Sequence, residues 1–287
     1  MMQTTLRQSL RFEGVGLHTG AHCCVEVRPA AADAGLTFLL GSIRVPATVE
    51  YVVDTTRATV LGRDGVAVST TEHLLSALFA MGVANADIVV DGPEVPVGDG
   101  SASQFASAIA RCGLQEQFAQ RKILELEEPV IVRDGDKLVA AFPAPSFRVR
   151  FVADFPEPIG TQYFCGEIDP KRYVEEIAGA RTFGFMHEVQ ALLARGLAQG
   201  GSLENALIFT ADGPLQPLRW PNEAVRHKVL DLIGDLALLG AWPHCELIAI
   251  KSGHELHSSL TTALRSRLRV PSAKESSLGR TRHTPDL

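Results

Sequence analysis

The chain has no apolar run long enough to cross a bilayer as a helix. Its most apolar stretch, LALLGAW at 236–242, falls far short of the roughly 20 residues a span requires. It also has no excess of positive charge. Against 27 Lys and Arg stand 33 Asp and Glu, a formal net charge of -6. No global positive field therefore exists to hold nucleic acid, and an anionic ligand must be met by a local cluster of cations. Cysteine is sparse and scattered: Cys23, Cys24, Cys112, Cys165 and Cys245 are odd in number and include no C-x-x-C pair. That excludes a disulfide framework and a thiolate zinc site. The opening residues, MMQTTLRQSLRF, lack the apolar run of a secretory signal, so the cytoplasm is the expected compartment.

What is present is the composition of a globular protein, 46% apolar and 21% charged over 287 residues. That length predicts two domains or one large one. Residues 24–28 and 147–151 alternate apolar and polar and read as strands with one wet face. Residues 129–140 read as a hairpin turning on Asp134-Gly135. Helices are expected from a Thr70 or Thr71 cap to Met81, over 101–112 with Ser101 as its cap, over 173–179 and 187–195, and from Asn222 to Leu239. A weak repeat emerges. A helix opening on Glu72-His73 ends at Gly82 and precedes the strand 86–90. A helix opening on Arg226-His227 ends at Gly240 and precedes the strand 246–250. Two copies of an α+β unit follow, with the boundary in the charged stretch 115–128. The tail 272–287 is polar and aperiodic, which predicts disorder.

The long helix carries the chemistry. His227, Asp231 and Asp235 recur every four residues and stack along one face, beside the apolar Val225, Val229, Leu232, Leu236 and Leu239. Carboxylates so near a core need a cation, a metal or strong donors. Imidazole and carboxylate one turn apart form a bidentate grip on a divalent ion, although such a pair also occurs as ordinary exposed polar positions. A catalytic zinc needs three protein ligands and one open position, and His73 can supply the third. Glu72 beside it could reach a bound water or simply complement the helix dipole. Lys251-Ser252-Gly253-His254 follows an apolar strand, where catalytic groups often sit. Gly253 permits close backbone approach to a ligand. His254 could act as an acid held charged by Asp235, and spacing does not separate it from His257.

Together these segments resemble one family, the zinc-dependent UDP-3-O-acyl-N-acetylglucosamine deacetylases of lipid A biosynthesis. The resemblance rests on GVGLHTG (14–20), DTTRATVLG (54–62), STTEHLLSAL (69–78), DGPEVPVGDGSA (91–102), ARTFGF (180–185), RGLAQGGS (195–202), RHKVLDLIGDLALLG (226–240) and KSGH (251–254), in the family's order. It implies an α+β fold of two similar domains, 1–120 and 121–271, each a helix layer on a mostly antiparallel sheet, with the active site between them. It implies His73, His227 and Asp231 as ligands of Zn²⁺, in a site that also admits Fe²⁺. Glu72 would be the general base, His254 the general acid oriented by Asp235, and Thr182 a donor to the oxyanion. Lys228 and Lys251 would meet the UDP diphosphate, Phe155 and Asp154 the uridine side, and an inserted unit near 183–209 the acyl chain. Glu157-Pro158 stands where the family usually has His-Pro, and Gly98 where a bulky apolar residue is usual. The expected substrate is an acylated UDP-N-acetylglucosamine, handled by a monomer without nucleic acid or a membrane span. Two other readings compete: a metal-dependent deacetylase of another N-acetyl sugar nucleotide, and a non-catalytic binder of sugar nucleotides or acyl chains.

Overall fold

Period-two alternation dominates the first half, and it becomes sheet. In a computed structural model, which describes residues 1–268, the strands are β1 (Met2–Leu6), β2 (Leu10–Val15), β3 (His22–Pro29), β4 (Leu36–Leu40), β5 (Ile43–Pro46), β6 (Val52–Asp54), β7 (Val60–Arg63) and β8 (Val66–Val68). Helix α1 (Glu72–Ala80), strand β9 (Ala86–Asp91), helix α2 (Ser103–Cys112) and strand β10 (Leu114–Gln120) follow. The second half begins with β11 (Ile123–Glu125), β12 (Val130–Asp134), β13 (Lys137–Pro143), β14 (Arg148–Asp154) and β15 (Thr161–Glu167). After them come α3 (Pro170–Arg172), which runs into a π turn, β16 (Phe183–Phe185), α4 (Met186–Ala194), β17 (Leu207–Thr210) and β18 (Gly213–Pro214). Helix α5 (Glu223–Ala237), strand β19 (Trp242–Ile250) and helix α6 (His254–Arg265) close the described chain. The expected disorder of 272–287 lies outside these residues, as do positions 269–271.

The repeat extends to strand order and direction. One sheet runs β2-β3-β9-β4-β5, the other β12-β13-β19-β14-β15. The central strand is antiparallel to one neighbour and parallel to the other in both, β9 to β3 and β4, β19 to β13 and β14. All outer pairings are antiparallel. The fold is thus α+β with mostly antiparallel sheets. Strand β10 pairs with β1 in the first half, whereas β11 pairs with β19 in the second.

Each central strand is preceded by a helix that is buried on nearly every side. All nine residues of α1 are buried, as are all of α5 except Arg226 and Lys228. These helices lie against each other, and α5 also lies on β14 and β15. Gly234 marks the crossing: a Cβ there would stand 2.2 Å from the Glu72 carbonyl oxygen. One apolar core runs from Val25 and Ile88 through Leu74 and Val229 to Val149 and Leu247.

Local details depart from expectation. The hairpin pairs Asp134 with Lys137, so its turn is Gly135-Asp136 rather than Asp134-Gly135. Gly135 alone has positive φ (58°), as a II′ turn requires. Thr71 stands at the N-cap of α1, but its hydroxyl donates to the Thr59 carbonyl instead of capping. The helix expected over 101–112 starts at Ser103, whose N–H donates to the Ser101 hydroxyl at 3.2 Å.

Candidate active site

Helix α1 presents Glu72 and His73 in its first turn, and α5 presents His227, Asp231 and Asp235 on successive turns. The crossing at Gly234 brings these groups together inside the core, each no more than 4% exposed. Nε2 of His227 lies 3.4 Å and Nε2 of His73 3.8 Å from Asp231 Oδ1. One ligand atom from each of the three lies within 4.8 Å of the others. Donors about 2.0–2.1 Å from a tetrahedral ion stand about 3.3 Å apart, so the two edges that meet at Asp231 fit a metal with slight contraction. The hydrogen bonds agree. His227 Nδ1 is 3.1 Å from the Ala180 carbonyl, which fixes the proton on Nδ1 and leaves the Nε2 lone pair toward the triangle. Asp231 gives Oδ2 to Lys228 Nζ at 2.7 Å and keeps Oδ1 for the triangle. His73 Nδ1 is buried without a hydrogen-bond partner among the described residues.

Charge follows burial. Burial, then the neighbouring His227, lowers the His73 pKa to about 3, so its ring is neutral and able to ligate. Burial opposes the charged Asp231, but the charges of His227, Lys228 and His254 outweigh it and hold the carboxylate ionised. These are the protonation states a divalent ion needs.

Beside the triangle lie a carboxyl and an imidazole with inverted tendencies. Burial raises Glu72 to about 7, tempered by the His254 charge. Burial disfavours the His254 imidazolium, yet the Asp235 charge and hydrogen bond overcome this and raise it to about 9. Asp235 is itself drawn to about 2: burial opposes its charge, and His254 and His257 outweigh that cost. His254 Nδ1 lies 2.8 Å from Asp235 Oδ2. The ambiguity between the two histidines ends here. His254 lines the cavity, whereas His257 sits behind Asp235.

The cavity holds about 610 Å³. Glu72, His73, Thr182, His227, Lys228, Asp231, Gly253 and His254 line it. Among the described residues, and apart from its two chain neighbours, no atom lies within 4 Å of a Cβ built on Gly253, so its missing side chain leaves open space. Thr182 is fixed by its backbone, which donates to Gly100 O and accepts from Leu207 N, both at 2.8 Å. The 183–209 segment adds an apolar wall through Phe185, Met186, Val189, Leu192, Leu193 and Ile208.

Three expected contacts stand apart from this wall. Lys251 is held by Asp154 at 2.8 Å and Asp136 at 3.0 Å, outside the cavity lining. Phe155 packs edge-to-face on Phe183, with centroids 5.1 Å apart. Other residues enter that spacing did not single out. Arg57 and Lys137 line the cavity, and neither has an ion pair among the described residues. His18 also lines it; its backbone N–H and those around it wrap the buried Glu94 carboxylate. Thr59 ties two elements together, its N–H to Glu72 Oε2 at 3.0 Å and its hydroxyl to Asp235 Oδ1. Its only sequence signal was membership in the segment DTTRATVLG.

Comparison with known proteins agrees with this geometry. The family model described as UDP-3-O-acyl N-acetylglycosamine deacetylase matches residues 3–266. A protein of Phenylobacterium zucineum named UDP-3-O-acyl-N-acetylglucosamine deacetylase is 46% identical over 93% of this chain and 94% of its own length. Proteins of the same name from Myxococcus xanthus and Thermosynechococcus vestitus are each 45% identical, over 90% and 91% of this chain and 84% and 93% of theirs. The chain belongs to the UDP-3-O-acyl N-acetylglycosamine deacetylase family.

Proposed function

From that membership we infer that the chain hydrolyses the acetamide of a UDP-3-O-acyl-N-acetylglucosamine, releasing acetate in lipid A biosynthesis. The observation that carries the reading is the pairing of a metal-sized His73–His227–Asp231 triangle with Glu72 and His254 on one cavity wall. We assign zinc to the triangle; its nitrogen, nitrogen and oxygen donors also suit Fe²⁺. The chemistry the ion supplies there is Lewis acidity, which favours negative charge on the carbonyl oxygen and eases deprotonation of water.

The protein's own groups do the rest. Glu72, raised to about 7, is a carboxylate basic enough to take a proton from the attacking water near neutral pH. Thr182 offers its hydroxyl to the developing oxyanion. An amine leaves poorly until protonated, and His254, raised to about 9, carries a proton to give it. Asp235 holds that ring by Nδ1, so Nε2 is the atom that delivers the proton. Lys228, with Arg57 and Lys137 on the same wall, meets the diphosphate, and the apolar wall of 183–209 takes the acyl chain. Lys251 meets the diphosphate once its ion pairs with Asp154 and Asp136 open, and Phe155 and Asp154 serve the uridine side.

We place the enzyme in the cytoplasm as a monomer, since one chain supplies every group named. No helix among the described residues is long and apolar enough to cross a membrane. The test is acetate release from the acylated UDP-sugar by the zinc-loaded chain, lost on chelation and restored by zinc. Absence of turnover with one zinc bound per chain refutes the reading. Equal turnover of the non-acylated UDP-sugar refutes the role given to the apolar wall.

A further inference from the structure

Three donors converge on the Asp235 carboxylate, and two of them, Thr59 and His257, belong to residues that the reaction above does not use. Thr59 donates its hydroxyl to Oδ1. Oδ2 is shared by His254 Nδ1 at 2.8 Å and His257 Nδ1 at 2.7 Å. His257 is 1% exposed and does not line the cavity. Its ring stands edge-on to Phe151, with centroids 6.3 Å apart, and its Nε2 lies 2.9 Å from the Ser252 hydroxyl.

The proton positions follow from these partners. An ionised carboxylate only accepts, so each Nδ1 facing Asp235 carries hydrogen. Neutral His257 then has its lone pair on Nε2, and the Ser252 hydroxyl donates to it. Burial lowers the His257 pKa, consistent with the neutral form. Ser252 thereby selects the one tautomer that can donate to Asp235.

We propose that His257 is a positioning residue: the Ser252–His257 pair clamps Asp235 so that its shared oxygen holds the His254 ring with Nε2 aimed into the cavity. This rests on the deacetylase reading above. Thr59 alone, on the other oxygen, would leave the carboxylate free to rock about its χ2. A second imidazole, packed against β14 and bonded to Ser252, removes that freedom. His254 and His257 also lie three residues apart on α6, on neighbouring surface of the helix, so one carboxylate on α5 registers both. A residue that only filled space beside Asp235 would need neither the second hydrogen bond nor a fixed tautomer.

The experiment compares His257→Ala, His257→Asn and Ser252→Ala with the native zinc enzyme, measuring kcat and KM for the acylated UDP-sugar, zinc content and melting temperature. His257→Ala is expected to lower kcat about tenfold or more, the scale set by small misplacement of a catalytic group. KM and zinc content stay unchanged. His257→Asn keeps an N–H donor and recovers most of the loss, while Ser252→Ala shows a smaller fall in kcat alone. An unchanged kcat in a folded His257→Ala overturns the inference, as does a loss explained by zinc content or by KM. Equal loss in the Ala and Asn variants overturns it too. Should His257→Ala fail to fold, Ser252→Ala decides, and native kcat there is the refuting result. Native turnover is read first: if the unaltered zinc enzyme releases no acetate, the deacetylase reading fails and takes this inference with it. Native turnover with an indifferent His257 refutes the clamp alone.

Discussion

Gly234→Ala is the sharpest single perturbation of the site, because it touches no catalytic side chain. A Cβ at 234 would stand 2.2 Å from the Glu72 carbonyl oxygen, 2.8 Å from its carbonyl carbon and 2.9 Å from its Cα. All three are backbone atoms of α1, so no flexible side chain can move aside, and the two helices must part by about 1 Å in an interior packed to crystal density. Alanine gains about 1 kcal/mol of helix propensity over glycine. Overpacking costs about 1–3 kcal/mol, so the net is a destabilisation of up to about 2 kcal/mol. For a chain of this size that lowers the melting temperature by only a few degrees, about 2–4 °C per kcal/mol. The activity should suffer far more. Glu72 and His73 ride on the displaced turn, and a misplacement of about 1 Å can cost roughly a hundredfold in rate. Differential scanning calorimetry and acetate-release kinetics on the zinc-loaded variant check both numbers. Native kcat at an unchanged melting temperature would mean that the crossing at Gly234 does not set the geometry of the site.

Glu72→Gln removes the base and keeps the shape; kcat should fall by about 10²–10⁴ while zinc content, read by atomic emission, stays native. Near-normal turnover would assign the base elsewhere. The pH profile of kcat/KM should rise as Glu72 ionises near pH 7 and fall as His254 loses its proton near pH 9. A cation in the triangle favours the carboxylate and disfavours the imidazolium, so zinc moves both limbs to lower pH. A profile with no falling limb contradicts the acid role of His254. Asp231→Ala removes a ligand and strips Lys228 of its carboxylate, and the purified variant should hold less than one metal per chain; full metal occupancy would place the ion elsewhere.

The repeated order of helix, glycine and strand was legible in the sequence because local rules set each part: alternation for β9 and β19, apolar residues at helical spacing for α1 and α5, and left-handed Gly82 and Gly240 at the stops. The ladder His227, Asp231, Asp235 was legible for the same reason, since helical spacing puts those residues on one face. What lay beyond reach depends on contacts between distant segments. Thr59 reaches Asp235 across 176 positions. Sharing of one carboxylate oxygen by His254 and His257 depends on how α6 leans on α5, and no spacing encodes that. The role of Lys251 came from the resemblance, and spacing says nothing of its partners. The residue sits at φ 51°, and two aspartates hold its ammonium outside the cavity lining.

The two halves repeat their topology but not their chemistry, and the asymmetry follows from what each helix carries and from where the two cross. The crossing sets the first turn of α1 against the later turns of α5, where Gly234 lies. Only the opening residues of α1, Glu72 and His73, therefore reach the cavity wall, while α5 contributes His227 and Asp231 to it and holds Asp235 just behind. Four and eight residues after its histidine, α1 has Ala77 and its C-cap Met81 where α5 has Asp231 and Asp235. The crossing gives a mixed set of two imidazoles and one carboxylate with Glu72 beside it, and α6 brings His254 to the same triangle in a separate environment. Glu72 is desolvated with one backbone donor and drifts upward; His254 faces an ionised Asp235 and also drifts upward, from a higher ordinary value. Both shifts have the same sign, yet they leave one group able to accept a proton and the other carrying one. Asp235 is the largest of the charges that raise His254 and a lesser one on Glu72, so Asp235→Asn should move the falling limb of the kcat/KM profile to lower pH and the rising limb of Glu72 down by less; an unmoved falling limb would mean that Asp235 does not set the acid.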